Sequence, residues 1–130
     1  MNLENFTSFQ GRSGRKTFWL SILVLVIVTW VLEFVIFAAF GGSMMNIDQS
    51  NPDAAAGAMK AMAIPLTILI LLILWPSFAI YTKRWHDRDK SGWWSLIMLV
   101  PLIGSIWMIV ECGFLRGTEG PNRFGDDPLA

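Results

Sequence analysis

Charged side chains are scarce in this 130-residue sequence: Asp, Glu, Lys and Arg supply 15% of it, against about 25% in a typical soluble domain. Hydrophobic residues supply 54%, and the mean hydropathy is +0.50. A water-soluble domain of this size could not cover so much apolar surface with so few polar side chains. The composition therefore excludes a disordered chain and a soluble multidomain enzyme, and it indicates a membrane protein.

Cysteine and histidine are almost absent, with Cys112 and His86 the only residues of their types. A single cysteine cannot form an internal disulfide, and metal sites built from these residue types need three or four protein ligands. The ten basic residues are balanced by ten acidic ones, whereas nucleic-acid-binding domains carry a basic excess. We therefore expect no disulfide, no metal or other cofactor, and no nucleic-acid partner.

Three apolar stretches, at 18–40, 61–81 and 93–115, contain 21 to 23 residues each. About 20 helical residues cross a bilayer core of about 30 Å. Backbone N–H and C=O groups in lipid must bond to each other, which favours helices. The sequence therefore predicts an all-α membrane protein that forms one domain over residues 1–130, with three transmembrane helices.

The basic residues are concentrated in two segments, 1–17 and 82–92, which hold seven of the ten. Short loops rich in Lys and Arg stay in the cytoplasm. We therefore predict that the N-terminus and the second loop are cytoplasmic, and that the first loop and the C-terminal tail lie on the far side. Pro101 and Gly104 interrupt the third stretch, and a re-entrant hairpin there would instead leave the tail in the cytoplasm.

Four motifs occur in order along the chain, beginning at residues 9, 83, 101 and 122. They read FQGRSGRKTFW, KRWHDRDKSGWW, PLIG and NRFGDDP. This series resembles a bacterial membrane family known as domain of unknown function 805, with Lys83 and Trp85 as departures from its pattern. The resemblance implies a small, multi-pass protein of the bacterial inner membrane and supplies no activity. Motif residues that it leaves without a role include His86, Asp87, Ser91, Gly92, Trp93, Asn122, Gly125 and Pro128.

A basic patch precedes the first stretch. Helical spacing would place Arg12, Arg15 and Lys16 on one face, with Trp19 below them. We predict that the patch contacts anionic lipid headgroups, each charge contributing roughly 1 kcal/mol; a purely topogenic signal is the alternative. The second loop is expected to make the same contact through Lys83, Arg84 and Arg88.

His86 and Asp87 raise the hypothesis of a metal site or a proton-transfer pair, because histidine titrates near neutral pH. A metal would need further ligands, and an isolated pair has neither a nucleophile nor a pocket. We favour a charged hairpin that fixes helix packing. The acids near Asn122 do not have the spacing of a calcium-binding EF-hand loop, so we read the tail as a series of turns.

Glu33 and Glu111 lie inside predicted spans, and Thr29 shares a helical face with Glu33. An intramembrane carboxylate costs a few kcal/mol or more and is a functional hypothesis by default. Two interpretations stay open. One is a polar cluster for an ion, a proton or a partner's basic residue. The other is a protonated Glu33 bonded to a neighbour, with Glu111 reaching the interface.

The sequence contains no recognisable nucleophile–base pair and no metal-ligand set, which favours a non-enzymatic membrane protein. We interpret it as a lipid-contacting scaffold or accessory subunit. The alternative is a small oligomeric transporter or channel component that uses Glu33. Membrane lipids are the expected partners, and association with a second copy or with another membrane protein stays open.

Overall fold

The computed structural model describes residues 2–129, with all side chains in that range except that of Ser43. All regular secondary structure in this range is helical, so the predicted all-α membrane fold is confirmed. In chain order the elements are α1 (Glu4–Thr7), α2 (Arg15–Phe40), α3 (Gly42–Met45), α4 (Pro52–Asp87), a 3-10 helix (Gly92–Leu99), α5 (Ile103–Ile109) and a π-helix (Val110–Phe114).

The two long helices, α2 and α4, contain the first two predicted spans. They have 26 and 36 residues, and both are long and apolar enough to cross a membrane. A helix that is apolar on every side belongs either in a protein core or in a membrane. Large side chains of these helices are exposed, including Phe34 at 74% and Leu72 at 66%, which fits helices of a membrane protein rather than helices of a protein core.

The described chain divides into two compact units, and each long helix contributes to both. The apolar unit comprises residues 25–74, which include the last part of α2, all of α3 and most of α4. The polar unit comprises residues 2–24 and 75–129. The ion pairs found between described residues all belong to the polar unit, and the candidate site is therefore found there.

The third apolar stretch was predicted to form a transmembrane helix over 93–115. In the structure it forms a hairpin over residues 92–114 instead. The 3-10 helix is the first arm, and α5 with the π-helix is the second. The chain reverses at 100–102, where Leu102 adopts a positive φ of 64°. The interruption at Pro101 and Gly104 thus marks a turn.

Close packing of the two hairpin arms depends on Gly104. A Cβ atom at this position would overlap the backbone carbonyl of Ile97 on the first arm. The Ser105 Oγ atom also lies 4.0 Å from the Met98 Sδ atom across the arms. Only glycine allows the arms to approach this closely.

Both ends of the hairpin lie at the polar end of the long helices. At the first end, a Cβ on Gly92 would lie 2.5 Å from Thr82 in the last turns of α4. At the second end, the Phe114 carbonyl accepts a hydrogen bond from Arg15 Nη1 at 3.0 Å. The chain therefore leaves the hairpin on the side where it entered.

Candidate functional site

The Asp87 carboxylate lies between two arginine side chains. Arg12 Nε and Nη2 donate to its Oδ1 atom at 3.1 and 2.9 Å, and Arg84 Nη1 donates to Oδ2. The three side chains are between 0% and 4% exposed. We call this group, Arg12, Arg84 and Asp87, the clasp. Because the clasp is buried, removing the Asp87 charge would leave two guanidinium groups uncompensated, a loss that typically costs about 3–5 kcal/mol.

Arg12 joins the segment before α2 to the C-terminal tail. Its Nη2 atom donates to the Thr118 carbonyl at 2.6 Å, and Nη1 donates to the carbonyls of Gly120 and Gly125 at 2.6 and 3.3 Å. The planar guanidinium has five N–H donors in a fixed arrangement, which a lysine could not reproduce. Arg12 therefore ties three tail carbonyls to Asp87 on α4.

Arg84 joins α4 to the second arm of the hairpin. Its Nε and Nη2 atoms donate to the backbone carbonyls of Cys112 and Leu115, and Nη1 also contacts the Ser13 carbonyl at 3.3 Å. Carbonyls at the end of a helix have no partner within it. Arg84 thus satisfies backbone groups where the π-helix ends and fixes the second arm against α4.

Tail residues close over the clasp. The Thr118 N–H donates to the Asp87 carbonyl at 2.7 Å. A Cβ on Gly117 would overlap the Asp87 carboxylate, so glycine is required at this contact. The tail turn itself is held by Asp127, whose carboxylate accepts from the Gly120 and Leu129 N–H groups at 2.9 Å each. These bonds keep the pKa of Asp127 below its ordinary value.

His86 lies beside the clasp and is committed to structural contacts. Its ring stacks on Phe124 with centroids 3.9 Å apart, and its Nδ1 atom lies 2.9 Å from the Gly11 carbonyl, to which it must donate. Asn122 Nδ2 donates to the His86 carbonyl at 2.8 Å. No group of three or more His, Cys, Asp or Glu side chains suited to a metal ion occurs within the described range.

A second charged cluster lies where the hairpin begins and ends. The Glu111 Oε1 atom accepts from Lys90 Nζ, and from Arg88 Nη2 at 3.4 Å. We call Arg88, Lys90 and Glu111 the mouth triad. Glu111 is 5% exposed, so its partners are basic residues of the same chain. Sequence reasoning considered each of these charges but not their pairing, for which the sequence gives no signal.

The six basic residues predicted to contact lipid fall into two groups in the structure, three that are buried and three that are exposed or partly exposed. Arg12 and Arg84 are buried in the clasp, and Lys83 is 6% exposed with its Nζ bound to the Glu4 carbonyl. Their predicted lipid contact does not fit this burial, because their donors are used within the protein. Arg12 also precedes α2 and so does not share its face. The exposed candidates are Arg15 and Lys16, with Arg88 partly exposed in the mouth triad.

The other motif residues shape turns and helix ends. The Ser91 Oγ atom accepts from the Trp93 N–H at 3.3 Å and caps the 3-10 helix. Trp93 is 78% exposed. Asn122 and Gly125 exchange backbone hydrogen bonds of 3.0 and 3.2 Å across the tail turn, and Pro128 is exposed after it.

Glu33 and Thr29 belong to the apolar unit and take no part in the clasp. Glu33 is exposed on α2. The Thr29 hydroxyl donates to the Leu25 carbonyl one turn earlier, at 2.7 Å. Its proton is therefore not donated to Glu33, although the two residues share a helical face. The structure therefore brings together the first, second and fourth motifs, places the third at the hairpin turn, and leaves Glu33 outside all of them.

The model of a family described as protein of unknown function (DUF805) matches residues 6–126. Among curated proteins of Escherichia coli K12, the chain is 37% identical to inner membrane protein YhaH over 127 residues, covering 97% of this chain and 91% of that protein. It is 33% identical to inner membrane protein YhaI over 129 residues, covering 97% and 90%. It is 26% identical to uncharacterized protein YiiR over 145 residues, covering 92% and 85%.

No solved structure is significantly similar to the chain. Two of these three relatives are named inner membrane proteins, and residues 2–129 include two helices long and apolar enough to cross a bilayer. The predicted location, a multi-pass protein of the bacterial inner membrane, is therefore confirmed.

Proposed function

The chain belongs to the DUF805 family of proteins of unknown function, and from its geometry we propose that it is a non-catalytic, lipid-contacting membrane scaffold. In this proposal the clasp lies on the cytoplasmic side and holds a hairpin that enters the inner leaflet. The observation that carries the proposal is the buried contact of Asp87 with Arg12 and Arg84, which closes the base of the hairpin.

The distribution of basic residues supports this orientation. Arg12 contacts the tail carbonyls of Thr118 and Gly120, so the tail lies on the same side as the N-terminal segment and the loop after α4. This contact contradicts the prediction that the tail lies on the far side of the membrane. It fits the re-entrant alternative. Nine of the ten Lys and Arg residues then share one side, with Lys60 as the exception. The positive-inside rule assigns such a side to the cytoplasm.

The length of the hairpin supports insertion into one leaflet. Eight residues of 3-10 helix rise about 16 Å at about 2 Å per residue, which is half of a bilayer core of about 30 Å. Apolar side chains cover the first arm and the turn. Trp93 and Leu99 are both 78% exposed, and Leu102 is 74% exposed. This surface suits lipid and would be costly in water.

The backbone of the hairpin turn is also suited to lipid, where unpaired polar groups cost several kcal/mol each. Pro101 has no N–H to satisfy. The N–H groups of Val100, Ile103 and Gly104 donate to carbonyls within the hairpin, at 2.7 to 3.0 Å. Three of the four N–H groups at residues 100–104 are therefore satisfied within the hairpin, which lowers the cost of placing the turn at membrane depth.

A scaffold is favoured over an enzyme because the side chains that could take part in catalysis are already used in structural contacts. Arg12 and Arg84 donate to Asp87 and to backbone carbonyls, and the His86 ring is stacked on Phe124 and bonded to the Gly11 carbonyl. Arg15 and Lys16 stay exposed on the same side, Arg15 with one bond to the Phe114 carbonyl, and both are accessible to anionic headgroups, at roughly 1 kcal/mol per charge.

Cysteine labelling tests the proposed arrangement. The buried Cys112 is replaced by Ala, and single cysteines are introduced at Ser50, Asp126 and Leu99. A membrane-impermeant maleimide applied to spheroplasts should label position 50 only. Position 126 should react only after the membrane is permeabilised, and position 99 should stay protected until detergent is added. Labelling of position 126 in intact spheroplasts would overturn the orientation, and labelling of position 99 in sealed or permeabilised membranes would overturn hairpin insertion.

A further inference from the structure

An open cavity of about 360 Å³ lies along the first arm of the hairpin, lined by Ser91, Trp93, Trp94 and Ile97. The 3-10 helix has three residues per turn, so Ser91, Trp94 and Ile97 fall on one face. Ser91 lies at the polar entrance, and Ile97 is two turns further along the arm. The cavity therefore changes from polar to apolar along its length.

The mouth triad gives the polar entrance a net positive charge. Arg88 and Lys90 share the single carboxylate of Glu111, which leaves one positive charge in excess. Lys90 Nζ lies 5.1 Å from the ring centre of Trp94, which lines the cavity. The Lys90 side chain is 30% exposed. A cation is thus held beside the cavity and stays accessible from outside.

The entrance also has hydrogen-bonding capacity that the fold does not use. The Ser91 hydroxyl accepts from the Trp93 N–H, and its own O–H is free to rotate and donate. The excess charge and this donor together favour a ligand with acceptor oxygens and one negative charge.

We propose that this cavity binds an anionic phospholipid, with its phosphodiester between Lys90 and Ser91 and an acyl chain along Trp94 and Ile97. The proposal rests on the proposed function in one respect, that the hairpin lies in the membrane. It adds a defined site and a lipid class, and it involves residues distinct from the exposed Arg15 and Lys16.

Fluorescence quenching tests the site with two probe lipids, phosphatidylglycerol and phosphatidylcholine, each brominated in the acyl chain and reconstituted at equal mole fraction. The contribution of Trp94 is obtained by subtracting the signal of the Trp94→Phe variant, because the chain has seven tryptophans. One net charge near a membrane surface corresponds to a preference of about fivefold. We expect Trp94 to prefer the phosphatidylglycerol probe by that factor.

Charge variants separate the proposed site from a general surface effect. Lys90→Gln should abolish the preference, and Lys90→Arg should retain it. Glu111→Gln breaks the same ion pair but keeps Lys90, and it should retain or raise the preference, which controls for loss of the ion pair. Lys16→Gln removes an exposed charge elsewhere and should leave Trp94 unaffected.

The outcomes distinguish this proposal from the proposed function. Equal quenching of Trp94 by both probes would overturn the lipid site while placing the hairpin in lipid. An equal preference in the parent and in Lys90→Gln would also overturn it. Absence of quenching by either probe would contradict insertion of the hairpin and thus the proposed function itself.

Discussion

Arg12 and Asp87 are 75 positions apart in the sequence, yet their side chains meet at 2.9 Å and are 1% and 4% exposed. The contact joins the segment before α2 to the last residue of α4. Around it, donors of Arg12 and Arg84 reach carbonyls of the hairpin and of the tail. This one relationship therefore connects the first, second and fourth sequence motifs with the second arm of the hairpin.

Asp87→Asn should destabilise the protein strongly, by about 3–5 kcal/mol, because it leaves two buried guanidinium groups without a counter-charge. Thermal unfolding in detergent measures the effect. Asp126→Asn is the matched control, because Asp126 is exposed and exposed substitutions usually change stability by less than about 0.5 kcal/mol. Equal unfolding temperatures for the two variants would contradict the structural role of the clasp.

Gly104→Ala should disrupt the hairpin, because the added Cβ would overlap the Ile97 carbonyl. We expect a loss of about 1–3 kcal/mol, as for overpacked sites. Gly57→Ala is the control, because Gly57 lies in α4 with open space around its Cβ position. Alanine there should stabilise the helix by up to about 1 kcal/mol. Similar stability changes of the same sign would refute the close approach of the arms.

Glu33 separates the scaffold from the transporter alternative. If Glu33 lies on the lipid-facing surface of α2, Glu33→Leu should be tolerated or stabilising in detergent, and Glu33→Gln should be neutral. Gln keeps most hydrogen-bonding capacity and cannot ionise. Proton or cation flux in liposomes that is present in the parent and lost in Glu33→Gln would support a transporter and overturn the proposed scaffold.

Acid pH should loosen the tail turn. The N–H groups of Leu129 and Gly120 bond to the ionised carboxylate of Asp127 and lower its pKa below the ordinary value of 3.8. The stabilisation is therefore complete above that value and is lost as the pH falls through the lowered pKa. Amide hydrogen exchange at Gly120, corrected for the intrinsic rate, should accelerate only in that low pH range. Asp127→Asn should remove this pH dependence.

The fold class and the first two spans could be predicted from the sequence, because apolar runs of over 20 residues have few alternatives to lipid. The hairpin was harder to predict. A stretch that enters and leaves one leaflet is as apolar as one that crosses, so composition does not separate them. The signals that did distinguish them were local, in the interruption at Pro101 and Gly104.

The clasp could not be predicted from the sequence, because its partners are set by tertiary structure. Helical spacing wrongly grouped Arg12 with Arg15 and Lys16, whereas α2 begins at Arg15. Backbone carbonyls such as those of Gly120 and Cys112 accept most of the hydrogen bonds from the two arginines. Every residue has such a carbonyl, so the sequence does not show which ones will be used. The motifs identified several of the clasp residues but contained no information about which residues contact each other in the fold.

The distance along the chain between Arg12 and its acceptor at Gly120, 108 residues, has a consequence for biosynthesis. At about 5–20 residues per second, Arg12 waits for about 5–20 s after it is made before that carbonyl exists. The clasp itself cannot close before Asp87, the last residue of α4, has been made, so Arg12 is a free cation while α2 and α4 are being synthesised. The same arginine can therefore act first as an orientation signal for the nascent chain and only afterwards as a buried part of the finished protein.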